Sequence, residues 1–178
     1  MKLQLLPALS AAIVAIGLSG CASFDDPGPV GWHSTDARPR VLREGPKLQC
    51  VPYARANSGV GIWGDAYTWW DKAAGRFGRS SAPEAGSVMV MKSYGNSQRG
   101  HVAVVRRLVS DREIVVDHAN WLNGGEISLD NPVMDVSEDN DWSEVRVWYA
   151  PGGHYGGRVY SVQGFILAPE GGQRMAAR

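Results

Sequence analysis

From Ser87 onward, apolar and polar positions alternate in short runs, which is the period of a half-buried strand. The alternation predicts strands over Ser87–Met91, His101–Leu108, Glu113–Asn120, Glu144–Ala150 and Arg158–Leu167. The intervening stretch at residues 92–100 and the turn at Ser110-Asp111 are short, so antiparallel hairpins are the expected connections. Residues 130–141 are acidic and aperiodic and read as a loop. Before Ser87 the pattern is different. Cys50 to Ala56 carries Pro52 where a first helical turn tolerates it. After the glycine-rich stretch at 58–64, Asp65 can cap a second helix through Ala74, with Tyr67, Trp69, Trp70 and Ala73 on its apolar side. Gly75 is placed to end that helix. Helices come first and strands follow, so the expected class is α+β, with N-terminal helices packed on an antiparallel β-sheet.

The other long apolar run lies at residues 3–18, behind the single charge of Lys2 and ahead of small residues, the layout of a secretory signal. Leu18-Ser19-Gly20-Cys21 resembles the lipobox of bacterial lipoproteins. The resemblance implies removal of residues 1–20 and a thioether-linked lipid on Cys21. Each buried acyl methylene contributes about 0.8 kcal/mol, so a multiply acylated end stays in the bilayer. Ala22 after the lipidated position implies an outer-membrane lipoprotein facing the periplasm. Residues 21–44, with Pro27, Gly28, Pro29, Gly31 and Pro39, read as a flexible tether holding His33. Residues 45–168 are then the folded domain and 169–178 a frayed tail.

Eighteen basic residues balance eighteen acidic ones. That balance argues against a nucleic-acid partner, which calls for a basic excess or stripe. Apolar residues make up 44% of the chain, enough to bury a core. The two cysteines matter more. If Cys21 holds lipid, Cys50 is a lone thiol in an oxidising compartment, either a small buried hydrophobe or a nucleophile. A nucleophilic thiol needs a base, and the base needs a group that holds its ring. A helix N-terminus also favours the thiolate. Cys50 opens a helix, His101 opens a strand, and the next strand carries Asp117, His118 and Asn120. Strand alternation puts His118 and Asn120 on one face, and Asp117 with Ala119 on the other unless a bulge intervenes. The four histidines, His33, His101, His118 and His154, lack metal-site spacing, so no metal or other cofactor is expected.

Leu48-Gln49-Cys50-Val51-Pro52-Tyr53-Ala54-Arg55, Gly100-His101-Val102-Ala103-Val104-Val105 and Val116-Asp117-His118-Ala119-Asn120-Trp121 together resemble the CHAP domain, the cysteine, histidine-dependent amidohydrolases/peptidases. Trp63-Gly64-Asp65-Ala66 and Pro83-Glu84-Ala85-Gly86-Ser87-Val88 are similar to that family's intervening pieces, and the resemblance spans roughly residues 45–150. It implies a papain-like fold and cleavage of peptidoglycan, as an N-acetylmuramoyl-L-alanine amidase or a stem-peptide endopeptidase. It also implies Cys50 as nucleophile and His101 as general base. Many members have Glu at the third position and Asn two residues on; here His118 and Asn120 stand there. A histidine orienter is also used by the related NlpC-type enzymes, and Asp117 is the rival for this role. Gln49 either assists the nucleophile or is an exposed loop amide. The alternative to a hydrolase is a non-catalytic wall-binding or scaffolding lipoprotein. A further alternative is an amidase or transglutaminase-like enzyme acting on a small peptide or a protein.

Of the tryptophans, Trp63 and Trp121 are candidates to line a groove, whereas Trp69, Trp70, Trp142 and Trp148 are expected to pack. Arg55 is expected in a structural salt bridge, and His154 in a solvated glycine-rich turn.

Overall fold

The computed structural model describes residues 39–93 and 99–169. The stretch read as a signal segment, Cys21, His33 and residues 170–178 lie outside the described residues. In chain order the elements are β1 (Arg40–Leu42), α1 (Cys50–Ser58), a 3-10 turn (Ala66–Thr68), α2 (Trp69–Ala73), β2 (Arg79–Ser80) and β3 (Val88–Met91). They continue with β4 (His101–Ser110), β5 (Glu113–Ala119), β6 (Ile127–Asp135), β7 (Glu144–Tyr149), β8 (His154–Tyr155) and β9 (Tyr160–Ile166).

The alternating stretches do become strands, all antiparallel to their neighbours. The antiparallel sheet expected from the pattern is here a closed barrel. The order β6-β5-β4-β3-β9-β7 returns to its start because β7 also pairs with β6. Closure removes the sheet edges that an open layer would expose. The barrel interior is filled from every one of these strands: Met89, Ala103, Val105, Ile114, Val116, Val133, Val145, Val147, Val162 and Phe165 form one buried cluster with Trp142. A second cluster covers the outer side of β3 and β4, where Val88, Val90, Val102 and Val104 meet Tyr53 and Ala54 of α1 together with Val60, Ile62 and Trp69. Helices are few. The second predicted helix is a 3-10 turn plus five residues of α2, because an aromatic-rich segment this short is held by burial of Trp69 rather than by propensity.

The acidic stretch read as a loop from residue 130 is strand β6 as far as Asp135. Its signal is broken by Pro132 and by Asp130, whose backbone is left-handed at φ 52°. One extra residue is inserted there, since Val116 pairs with Asn131 and His118 with Ser128, so that Leu129 and Asp130 stand opposite Asp117 alone. Pro132 pairs with Val115 of β5 and, on its other side, falls between the part of β6 paired with β1 and the part paired with β7. β1 itself lies within the stretch read as tether and pairs with Ile127–Leu129.

Candidate active site

Cys50 is the first residue of α1, with Gln49 at the N-cap in extended conformation (φ −88°, ψ 160°). The chain reaches it already fixed, because Leu48 N–H donates to Gly125 O at 2.8 Å. Gly59, left-handed at φ 76°, ends the helix. His101 is the first residue of β4. Gly100 before it takes φ 60°, and a Cβ there would stand 2.8 Å from Tyr67 N and 2.9 Å from Met91 O. Only glycine lets β4 start so close to that backbone, so Gly100 fixes where His101 stands.

Cys50 and His101 line one open cleft of about 770 Å³, together with Gln49, Asn120, Trp121 and Tyr160. The sulfur lies at the start of β4, where the Val102 N–H, next to His101, points to it along with the N–H groups of Val51 and Cys50 itself. Burial pushes the Cys50 thiol above its ordinary range, and these three donors oppose the shift. Burial pushes His101 down to about 3. Each shift favours its uncharged form, so the resting pair is a thiol and a neutral imidazole on the walls of one cleft.

The third group is another imidazole. His101 Nε2 lies 3.0 Å from His118 Nδ1, with the rings edge to face at 81°. This bond leaves His101 Nδ1 as the nitrogen open to a thiol proton. For Nδ1 to accept, His101 carries its proton on Nε2 and donates it to His118 Nδ1. The His118 proton then sits on Nε2, which is buried and has no hydrogen-bond partner among the described residues. Leaving a buried polar atom so costs about 1–3 kcal/mol. His118 is 1% exposed, and burial followed by the nearby His101 drives it well below its ordinary value. Trp121 closes this pair off. Its ring stacks on His118 at 22° and 5.5 Å, meets His101 at 4.8 Å, and rests on Tyr160 at 4.9 Å.

Asp117 does not join the pair. Strand alternation turns it to the outer face, where its carboxylate pairs with Arg106 Nε and accepts Asp130 N–H at 2.8 Å, capping the β6 bulge. The bulge therefore employs Asp117 instead of reversing it. Asn120 also departs from its expected place. It lies just past β5 with φ 59°, out of the strand alternation, and its Nδ2 donates to Gln49 Oε1 at 2.6 Å, not to an imidazole.

Trp69, Trp142 and Trp148 are buried and Trp70 packs against the outer cluster, as their apolar surroundings imply. Trp63 is 70% exposed, and the Arg55 guanidinium lies 3.3 Å from its ring centre, so Arg55 stacks on an aromatic face in place of the expected salt bridge. His154 is exposed, in the short strand β8, with Nδ1 donating to Tyr155 O at 2.8 Å. The cleft walls include Lys92, Arg99 and Arg158 against Asp65. Sequence reasoning missed these charged positions and Tyr160. β9 reaches the cleft only because the barrel places it beside β3, and no local pattern in the chain encodes that neighbour.

Compared with models of protein families, residues 42–120 match one family, described as the CHAP domain. The matched span runs from the end of β1 past β5 and contains Cys50, His101, His118 and Asn120; β6 to β9 lie beyond it although they complete the barrel. It is shorter than the resemblance read through residue 150. No curated protein matches the chain.

Proposed function

We propose that this chain, which belongs to the CHAP-domain family, hydrolyses an amide bond of peptidoglycan with Cys50 as nucleophile and His101 as general base. The observation that carries the reading is the shared cleft: the sulfur at the start of α1 and the ring at the start of β4 face one opening, and the far side of that ring is held by His118. As Cys50 attacks the amide carbonyl, its proton passes to His101 Nδ1 and the S–C bond forms while the C=O pair moves onto oxygen. Collapse expels the amine, which takes the proton from His101, and leaves a thioester. Water attacks the thioester, His101 again accepting and returning a proton, and the carboxylic acid and free thiol are released. His118 keeps the ring oriented throughout. Unlike a carboxylate, it lends the imidazolium no counter-charge. The positive lining formed by Lys92, Arg99 and Arg158 supports a substrate bearing carboxylates, as stem peptides do.

The test is digestion of purified peptidoglycan by the full chain, with the products read by mass spectrometry. New muramic-acid ends identify an amidase, and new peptide termini an endopeptidase. Cys50→Ala should abolish either. If the wild type yields neither product yet binds the polymer, the chain is a wall-binding protein and the hydrolase reading fails.

The same reading keeps the domain at the outer membrane through lipid on Cys21 after loss of residues 1–20. Support comes from the lipobox-like run at 18–21. Cys21→Ser should move the protein from the membrane fraction to the soluble periplasmic fraction. An unchanged distribution would remove the anchor.

A further inference from the structure

Strand β6 serves two neighbours in turn. Ile127–Leu129 pair with β1 and Val133–Asp135 with β7, so between them β6 keeps β5 as its one strand neighbour among the described residues. A pocket of about 210 Å³ opens on the other side. Its floor is polar: Ser128 and Asn131 of β6, both buried, and Asn123 from the loop after β5. Its walls are apolar, with Trp148 and Tyr149 at the end of β7 facing Pro39 and Val41 from one side of the β1 segment. Asn131 Nδ2 donates across the gap to Trp148 O at 3.3 Å, and Asn123 Nδ2 donates to Ser128 Oγ at 3.2 Å. Asn123 Oδ1 is buried and has no hydrogen-bond partner among the described residues. Turning that amide over only exchanges the orphan, because Oδ1 would then accept from the Ser128 hydroxyl and Nδ2 would be left. Charge at the pocket is balanced: Arg43 and Glu126 line it, and Glu126 pairs with Lys47 at 3.2 Å. The catalytic cleft instead gathers Lys92, Arg99 and Arg158. Trp121 lines both spaces and stacks on His118.

We propose that this pocket binds one ring of a neutral acetamido sugar. It is smaller than the roughly 300 Å³ at which sites for drug-sized ligands begin, so it takes a single ring and not a length of chain. Aromatic surface from Tyr149 and Trp148 suits the C–H side of a pyranose. An acetamide carries both an N–H and a C=O, so it meets the unpartnered Asn123 atom whichever way that amide is turned. Its methyl group suits Pro39 and Val41. An ion gains little here, because the charges of Arg43 and Glu126 offset each other. The pocket lies on the far side of Trp121 from the catalytic cleft, and the inference does not depend on any reaction at Cys50. It gives the domain a second hold on a polymer of such sugars, one indole ring away from the cleft.

The test titrates N,N′-diacetylchitobiose into the 15N-labelled full chain and follows the Asn123 side-chain amide and the Trp148 indole N–H by NMR. Cellobiose keeps the rings without the acetamides, and N-acetylglutamate keeps an acetamide without a ring and adds negative charge. The expected result is a saturable shift of both signals with diacetylchitobiose, at least about fivefold tighter than with either control. Asn123→Ala and Tyr149→Ala should each weaken binding at least about fivefold, read at the Trp148 indole, and Trp63→Ala should leave it within about twofold. The proposal is overturned if neither signal moves at about 10 mM sugar, or if either control binds as tightly. It is also overturned if Trp63→Ala removes binding and Tyr149→Ala does not, which would put the sugar on the exposed Trp63 ring. Should Asn123→Ala fail to fold, unaltered binding in Tyr149→Ala, whose ring is at the surface, still overturns it. A chain that binds the sugar here but cleaves no peptidoglycan keeps this site and loses the hydrolase reading; one that cleaves without binding the sugar keeps the hydrolase reading and loses this site.

Discussion

Lowering the pH should unfold this protein through the histidine pair before the mass of carboxylates titrates. Burial holds His101 at about 3 in the folded state against an ordinary 6.5, and holds His118 well below the same value. In the unfolded chain each ring takes a proton as the pH drops through 6.5. Between these limits the unfolded state binds more protons than the fold, so stability is intact above about pH 6.5 and is lost as the pH falls. Each pH unit within the window removes about 1.4 kcal/mol per ring. His101 is 8% exposed, so solvent screens the effect little. From pH 7 to pH 5 it alone removes about 2 kcal/mol, and His118 adds to the loss. That is a large part of the roughly 5–15 kcal/mol by which domains are stable. The assay is urea unfolding followed by tryptophan fluorescence at both pH values, for the wild type and for His101→Gln, which preserves a donor to His118. Carboxylate contributions are common to both chains and cancel. The wild type should lose at least about 2 kcal/mol more than the variant. Equal losses, within about 0.5 kcal/mol, would mean that the fold accommodates a protonated ring and would refute the neutral pair.

Three other substitutions probe the surroundings. His118→Glu supplies the anion the pair lacks, so it should raise His101, lower the Cys50 thiol and speed alkylation by iodoacetamide at pH 6; an unchanged rate would show that charge at this position does not reach the sulfur. Asp117→Ala removes the carboxylate facing Arg106 and uncaps the β6 bulge, so chemical denaturation should show a loss of about 3 kcal/mol, while the pH profile of Cys50 alkylation stays put because Asp117 faces away. A shifted profile would return Asp117 to the site. Gly100→Ala meets Tyr67 N and Met91 O at φ 60°; denaturation should register about 2 kcal/mol of lost stability, and Cys50 alkylation should slow as His101 moves. Full stability in that variant would show that β4 can start elsewhere.

The linear chain determines a good deal on its own. Period-two alternation marks β3, β4, β5, β7 and β9 to within a few residues, because a strand with one buried face writes its burial directly into the sequence. The runs around Cys50, His101 and His118 carry the family, since the residue types that such chemistry needs sit in local motifs. Elements whose stability comes from distant partners leave weaker traces. β6 hides behind Asp130 and Pro132 because its bulge is held by the Asp117 carboxylate, and β1 is three residues long and exists through pairing with β6. Closure of the barrel depends on one extra pairing, β6 with β7, which alternation along either strand cannot specify. The site divides along the same line. Which side chains face each other across the cleft is decided by left-handed backbone at Asn120, by the contact that demands Gly100, and by the depth at which the two imidazoles lie. Those are properties of neighbours brought together in space, so an Asn two residues past His118 ends up bonded to Gln49, and a thiol read as activated lies half-buried in one cleft with a neutral ring.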